Sequence, residues 1–583
     1  MGGVKKGRER WRRRSIRVSC HAHRNHLLPA VLVVAAMFSL HGCASLVPAS
    51  AHPGNYSGLS ATDALERARE WQARAPHEPD DTRRGNAWLQ CAVFAHDAMA
   101  SENDAEERSA AALATSCSRA YLARITRDTS LNVHPGRVLL GERWVQVQFR
   151  GMPDSLDKQV HLELADQLSV EGLGGVRHRQ PGFGVPVVAA APPCTNRPIC
   201  ALYPPEGIFR PATVWLEDAP GMTAGAESPV LVVQSPDTQP DHIMGGVDYP
   251  LAAGFSAPYE YLLERSKLRR LGWWGLIGGQ AIGERAGLFL LDDYDPKKTP
   301  VIMIHGLGSS PIIWGPLTNA IMGDAALRRR YQVWHVVYQS NAPVLIERHR
   351  VQGYLDAAWK VLDPGGSAPA RQGVVLIGHS MGGVIARLLC AQSTPALWSS
   401  VFTVPFGSLR GDAAELSLLH DIFQFQPYPG VDEIIFMAAP QRGSPVAGDW
   451  LGRLVQDLAL RHIPEMPGLE RLVAENPGSL QASYVSGSFR IDHLSSVTSL
   501  VPGEPAMVVG DTLMPAAGIR YDSIAGVVPG THPPSDGWVP LSSATLPGSA
   551  STLIVNADHH GVPRDPKTIE AVLAILRQHG AQH

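Results

Sequence analysis

The sequence predicts an α/β fold in which strands alternate with helices around a mostly parallel sheet, and three observations predict it. Apolar, β-branched runs recur at intervals long enough to hold a helix between them: Thr299-Pro-Val-Ile-Met-Ile304, Tyr331-Gln-Val-Trp-His-Val-Val337 and Val374-Val-Leu-Ile377. The third run turns through Gly378-His-Ser-Met-Gly382 directly into an apolar helical stretch. The chain then finishes on a well-punctuated helix, in which Asp565 caps, Pro566 starts, and Ile569, Val572, Leu573 and Leu576 form the inward stripe.

At 583 residues the chain is too long for one ordinary domain, so accessory regions are expected beside the α/β unit. Lys+Arg 51 against Asp+Glu 54 gives a formal charge of -3, which argues against nucleic acid as a partner. The charge is uneven at the start, where nine basic residues among the first 24 precede an apolar run from Leu27 to Leu40. Basic, then apolar, then small is the order of a secretory signal, and about 14 apolar residues are too few for a membrane span. The run closes in Leu40-His-Gly-Cys43-Ala, which resembles the lipobox of bacterial lipoproteins, with His41 departing from the usual small or aliphatic residue. That resemblance implies a lipoprotein signal peptide over 1–42 and lipid attachment at Cys43. With Ala44 following, it also implies an outer-membrane lipoprotein of the bacterial envelope; the alternative is a soluble periplasmic or secreted product.

Residues 43–58 are small and polar and read as a tether. Over 59–128 apolar residues fall at helical spacing, as in Leu65, Ala68 and Trp71, then Trp88, Cys91, Ala92 and Ala95, then Leu113, Cys117 and Tyr121. This helical segment resembles a pair of tetratricopeptide-type hairpins. The texture over 129–286 changes to short strand-like runs such as Trp144–Phe149, Ala212–Leu216 and Val230–Gln234 between Gly and Pro clusters, a β-rich accessory region of no legible function. Residues from Tyr249 to Leu263 are expected to include a helix at the entrance of the α/β unit. In an oxidising compartment Cys91 with Cys117, and Cys194 with Cys200, are the first pairings to expect, while Cys390 reads as a small buried apolar residue.

The α/β unit, 287–583, begins with the runs already named and continues with strands Asp432–Pro440, Arg520–Gly526 and Ser551–Val555. An apolar insertion at about 395–430, rich in Leu and Phe, is expected either to cap the site above Ser380 or simply to cover the sheet edge. A second insertion, from Val446 to about Gly518, is long and mixed in character.

Ser380 stands at the tip of a strand-to-helix turn flanked by Gly378, Gly382 and Gly383, where a side chain would collide. Its hydroxyl needs a base and an acid, which in this arrangement follow in the order Ser, acid, His, each in a loop after a later strand. Asp536, in Pro-Ser-Asp-Gly-Trp after the fifth strand, is the candidate acid; Asp492, Asp511 and Asp522 are its rivals. After the sixth strand stand His559 and His560, whose side chains should point apart; His559, nearer the strand end, is favoured as base, with His560 the alternative. Backbone N–H groups of Met381 and Leu307 are the candidate oxyanion donors, the latter in the loop His305-Gly-Leu-Gly308. His305 and Arg442 read as structural residues of their loops.

Taken together, His305-Gly-Leu-Gly308, Gly378-His-Ser-Met-Gly-Gly383, Ala438-Ala-Pro-Gln-Arg-Gly-Ser-Pro445, Ser535-Asp-Gly-Trp-Val-Pro540 and Asp558-His559 resemble the motifs of α/β-hydrolase-fold serine lipases and esterases, including bacterial triacylglycerol lipases and the GPI inositol-deacylase-like group. The resemblance covers residues 287–583. It implies hydrolysis of acyl or lipid esters through an acyl-enzyme on Ser380, with Asp536 and His559 completing the triad and no metal or organic cofactor. A phospholipase, thioesterase or acyltransferase on the same triad is the alternative, and a non-catalytic lipoprotein that binds a partner is the third reading.

Overall fold

The computed structural model describes residues 59–128, 131–140, 142–156, 158–218, 229–266, 285–448, 463–486 and 489–582. The expected signal peptide, the tether and Cys43 lie outside the described residues. No helix among the described residues is long and apolar enough to cross a membrane.

Three helices come first: α1 (Ala61–Arg74), α2 (Asp81–Asp97) and α3 (Asp104–Asp128). Ser60 and Asp80 cap the first two by accepting from Asp63 N and Arg83 N. Leu65, Leu89, Ala92 and Cys117 are buried between them, and the Cys91–Cys117 disulfide ties α2 to α3. A pair of hairpins would need four helices. α3 contains neither Gly nor Pro to break it, and it runs through 25 residues as a single element.

A seven-stranded sheet follows, with order β1-β4-β6-β7-β8-β3-β2. Its strands are β1 (Leu131–Val133), β2 (Gly136–Leu140), β3 (Arg143–Arg150), β4 (Val160–Leu164), β6 (Val185–Ala191), β7 (Ile208–Glu217) and β8 (Val230–Gln234). All neighbours run antiparallel except β3 and β8. A two-residue strand β5 (Arg179–Gln180) pairs with β11 (Ala253–Gly254), and β9 (Asp241–Met244) with β10 (Val247–Pro250) makes a small hairpin. The Cys194–Cys200 disulfide closes the loop between β6 and β7. The helix expected after Tyr249 starts only at Ala257 and ends at Arg265. Pro250 lies in β10, Gly254 in β11, and Pro258 opens the helix at its first turn, where its missing N–H costs nothing. The helix packs on β6 and β7, with Tyr261 edge-on to Phe209, and also on the α/β unit, where Tyr259 meets the His335 ring edge-on at 5.9 Å.

The second sheet has order β12-β14-β13-β15-β16-β17-β18, from β12 (Gly287–Leu290), β13 (Thr299–Ile304), β14 (Tyr331–Val337), β15 (Val374–His379), β16 (Val431–Met437), β17 (Arg520–Gly526) and β18 (Thr552–Val555). Six strands are parallel and β12 alone is antiparallel, at an edge. Alternate side chains enter two different cores, so both faces are covered. Val301, Met303, Val375 and Ile377 pack with Leu317, Ile321 and Leu576. Ile302, Ile304 and Leu376 pack with Val351, Leu355 and Leu388. Each such fully buried aliphatic side chain is worth about 1.5–3 kcal/mol relative to exposure. The final helix runs Pro566–Gln582, and Asp565 caps it by accepting from Lys567 N (2.9 Å).

The accessory sheet is fastened to this unit by polar contacts at sequence positions far apart. Arg210 at the β7 start pairs with Asp293 (2.7 Å) and donates to Leu291 O, Tyr203 O–H donates to the same Asp293, and Asn319 Nδ2 donates to Val176 O. Helices Pro395–Val401 and Ala413–Phe423 form the first insertion, and an apolar cavity lies between them and the helix Met381–Leu389, lined by Val384, Leu388, Phe402, Leu419 and Ile422.

Candidate active site

β15 delivers Ser380 at its C-terminal end, and the helix Met381–Leu389 departs from the next residue. Ser380 holds φ 55° and ψ -129°, a conformation that L-residues rarely adopt, and its N–H donates to Met437 O (2.9 Å) on the neighbouring strand. The glycines make the turn possible by close approach. A Cβ on Gly378 would stand 2.5 Å from Gly383 Cα, and one on Gly382 would stand 2.1 Å from Ile304 O.

β17 and β18 bring the other two groups from their C-terminal loops. His559 Nδ1 lies 2.7 Å from Asp536 Oδ2, and His559 Nε2 lies 2.9 Å from Ser380 Oγ. A carboxylate can only accept, so Nδ1 carries the proton and Nε2 accepts from the serine hydroxyl. Asp536 is 1% exposed, His559 4% and Ser380 7%, so the chain of contacts is shielded from water. The second carboxylate oxygen of Asp536 accepts from Trp538 N (2.9 Å) and Val539 N (2.7 Å), which fixes its plane. His559 N–H donates to Asp536 O (3.0 Å), and Gly526 at the end of β17 lets the two loops meet.

Every other candidate lies elsewhere. His560 is exposed, its ring 5.5 Å from that of His559. Asp492 pairs with Arg490, Asp511 lies beside Arg387 and Arg442, and Asp522 accepts from Ser551 Oγ (2.5 Å). Arg442 also donates to Ser542 O and Thr545 O, an anchor between two loops.

The loop after β13 lies against Ser380, since a Cβ on Gly306 would stand 2.6 Å from Ser380 Cβ. Leu307 and Met381 both belong to the segments that meet there, and neither N–H donates to a backbone carbonyl among the described residues. The loop is braced from several sides. Gly308 N donates to Ser340 Oγ (2.9 Å), Tyr338 O–H donates to His305 O (2.7 Å), and His305 Nδ1–H donates to Gly306 O (2.9 Å). Burial pushes the His305 imidazole down to about 4, so it stays neutral and serves the loop alone.

Three residues of this arrangement carry no sequence signal of their own. His379 occupies the variable position of the turn; its Nε2–H donates to His559 O (2.9 Å), and burial, helped by the nearby His559, holds it far below the ordinary imidazole range. Ser340 follows β14 in a polar run. Ser444 Oγ–H donates to Trp538 O (2.5 Å), joining the loop after β16 to the Asp536 loop. Trp538 in turn stacks on the His559 ring at 5.6 Å and 13°.

A hydroxyl bonded to an imidazole that a buried carboxylate orients can lose its proton as it attacks an electrophilic carbon. No protein-family model matches this chain, and no curated protein does. Among solved structures it is similar to a Bacillus licheniformis lipase in its propeptide form (16% identity, 50% of this chain and 53% of that one, TM-score 0.31). The mature form of that lipase matches at 16% identity over 50% and 97%, with TM-score 0.29. Lipase 1 from Pelosinus fermentans matches at 13% identity over 48% and 98%, with TM-score 0.29. The chain thus spans about half the length of the propeptide form.

Proposed function

We propose that this chain is a serine hydrolase of carboxylic esters, built on an α/β-hydrolase fold, that acts through an acyl-enzyme on Ser380. The observation that carries the reading is the continuous hydrogen-bonded chain Asp536–His559–Ser380, ending on a serine at φ 55° between strand and helix. Ser380 Oγ attacks the ester carbonyl while His559 Nε2 takes its proton, and the N–H groups of Met381 and Leu307 hold the resulting oxyanion. Collapse expels the alcohol, which receives that proton from His559. Water then enters, gives a proton to His559, attacks the acyl carbon and releases the acid with Ser380 restored. Asp536 keeps the imidazole in the right tautomer throughout and stabilises its charged form.

An apolar cavity lined by Val384, Leu388 and Phe402 flanks the helix that begins one residue after Ser380, but no triad residue lines it, so the preference for a lipid ester rests on the sequence resemblance. Attachment to a bacterial outer membrane through Cys43 is the companion proposal and rests on the N-terminal sequence alone.

The test is hydrolysis of p-nitrophenyl esters from short to long acyl chains by the purified chain. Ser380→Ala and His559→Ala should each cost at least about 10^4-fold in kcat, while His560→Ala keeps the rate within about threefold. A folded wild type that hydrolyses no ester in the series, or a Ser380→Ala variant as active as wild type, overturns the reading. Transfer of the acyl group to an added alcohol in preference to water would reassign the enzyme to acyl transfer.

A further inference from the structure

Away from Ser380, three side chains from three separate elements converge in the accessory region. His96 lies in the last turn of α2, Glu217 closes β7, and His242 stands in β9. All three are buried. His96 Nε2 is 3.1 Å from His242 Nε2 and 3.6 Å from Glu217 Oε2, and one nitrogen or oxygen from each residue lies within 4.8 Å of the others. Among the described residues this is the only such cluster of His, Cys, Asp and Glu.

The surroundings orient these atoms. Trp215 Nε1–H donates to Glu217 Oε2 (2.8 Å) and the Arg150 guanidinium donates to both carboxylate oxygens, which fixes the carboxylate with Oε2 toward His96. The His242 ring stacks on Phe183 at 5.2 Å and 21° and lies 4.8 Å from the Trp215 ring. Two imidazole nitrogens 3.1 Å apart hold between them either the N–H proton of one ring, as a hydrogen bond, or a cation that both ligate. Ligand bonds of about 2.0–2.1 Å at tetrahedral angles set donor atoms about 3.3 Å apart; the two separations at His96 bracket that spacing, and the wider gap between His242 and Glu217, within 4.8 Å, closes by a side-chain turn when an ion binds. Two imidazoles with one carboxylate suit zinc and its neighbours; calcium and magnesium prefer oxygen alone.

We propose that His96, Glu217 and His242 bind one divalent transition-metal ion of the zinc class, with water completing its coordination. The ion fastens the helical segment to the β9–β10 hairpin and the sheet, since each element supplies one ligand. Its place is structural and separate from acyl transfer, for which the resemblance implies no metal. Arg150 sets a positive charge beside the site and so tempers its affinity.

The experiment uses the full chain, stripped with a chelator, desalted, and titrated with zinc chloride or cobalt chloride. Expected are uptake of one zinc per chain at this site, a raised unfolding midpoint, and with cobalt the strong visible absorption of a four- or five-coordinate ion. The double variant His96→Gln, His242→Gln and the single variant Glu217→Gln should lose that equivalent and the cobalt spectrum while keeping the wild-type circular dichroism. Should the double variant fail to fold, Glu217→Gln, which keeps the size of the side chain and its acceptor for Trp215, decides together with the wild-type midpoint. Wild type without a zinc-dependent rise in midpoint, or variants that take up as much metal as wild type, overturns the proposal and leaves the pair as a histidine–histidine hydrogen bond.

Discussion

The Nε2 of His379 lies 2.9 Å from the carbonyl oxygen of His559, so the residue immediately before Ser380 holds the backbone of the residue hydrogen-bonded to it. Because a carbonyl only accepts, that Nε2 must carry a proton. The turn and the histidine loop are therefore braced twice, through His559 Nε2 to Ser380 Oγ and through His379 to His559 O. His379→Ala removes the second brace and keeps both reacting side chains, while freeing the His559 loop to shift relative to Ser380. A 1 Å misplacement of a reacting group can cost about 100-fold, so kcat should fall about 10- to 100-fold with KM for a p-nitrophenyl ester within about threefold. A rise in KM at unchanged kcat would assign His379 to substrate binding instead.

Gly306 makes the approach of the oxyanion loop possible. A methyl group there would stand 2.6 Å from Ser380 Cβ, so Gly306→Ala must push the loop away from the serine. Loss of one oxyanion donor costs about 100- to 1,000-fold in kcat elsewhere, and a drop of that order is expected here. Gly353→Ala is the control, since it lies in the helix Val344–Leu362 with open space around its Cβ; it should keep full activity and add up to about 1 kcal/mol of stability. Equal rates for the two variants would separate Leu307 from the chemistry.

Stability should peak near pH 6.5. Burial pushes His96 and His305 down to about 4, His335 down to about 3, and His379 far below 6.5. These four stay neutral in the folded chain and bind protons on unfolding, so their contribution is full above 6.5 and is lost as pH falls toward the folded values. Glu347 and Glu433, both pushed up to about 8 by burial, act in the opposite sense, losing stability as pH rises from 4.5 to 8. His178, His242, His349 and His560 are lowered by burial as well, whereas Asp97 is pushed up to about 7; the lowered histidines outnumber the raised carboxyls, so stability falls as pH drops below 6.5. Urea unfolding at pH 5, 6, 7 and 8, with chelator present, checks the optimum. His335→Gln should lower the acid-side slope by about one proton.

The Cys91–Cys117 disulfide closes a 26-residue separation between α2 and α3. Replacing both cysteines by alanine should cost about 3 kcal/mol of stability, through the freer unfolded chain. Ester hydrolysis at 25 °C should be unchanged, because neither residue belongs to the α/β unit. A loss of hydrolysis in a variant that remains folded would instead link the helical segment to the site.

Much of the α/β unit was legible because its signals are local. Parallel strands buried on both faces read as continuous apolar runs, and the crowding of Gly378 on Gly383 leaves little choice of residue at the turn. The choice between His559 and His560 was only partly legible. Alternation says that adjacent side chains diverge, whereas the bond from His559 N–H to Asp536 O and the grip of His379 determine which of them faces Ser380. The accessory region was legible only as texture. Its parallel pairing of β3 with β8 and the meeting of His96 with His242, 146 residues apart, depend on long-range contacts that no periodicity records. The helix that ends at Arg265 begins later than apolarity alone suggests, because apolarity without period cannot tell β10 from a helical turn.

The most direct test of the central claim is covalent. A fluorophosphonate places phosphorus where the ester carbon would be, and attack by Ser380 Oγ expels fluoride as His559 takes the proton. One adduct per chain is expected, found by peptide mass spectrometry on Ser380, absent in Ser380→Ala and formed much more slowly in His559→Ala and Asp536→Asn. Labelling of a different serine, or no labelling of a folded wild-type chain, would contradict it.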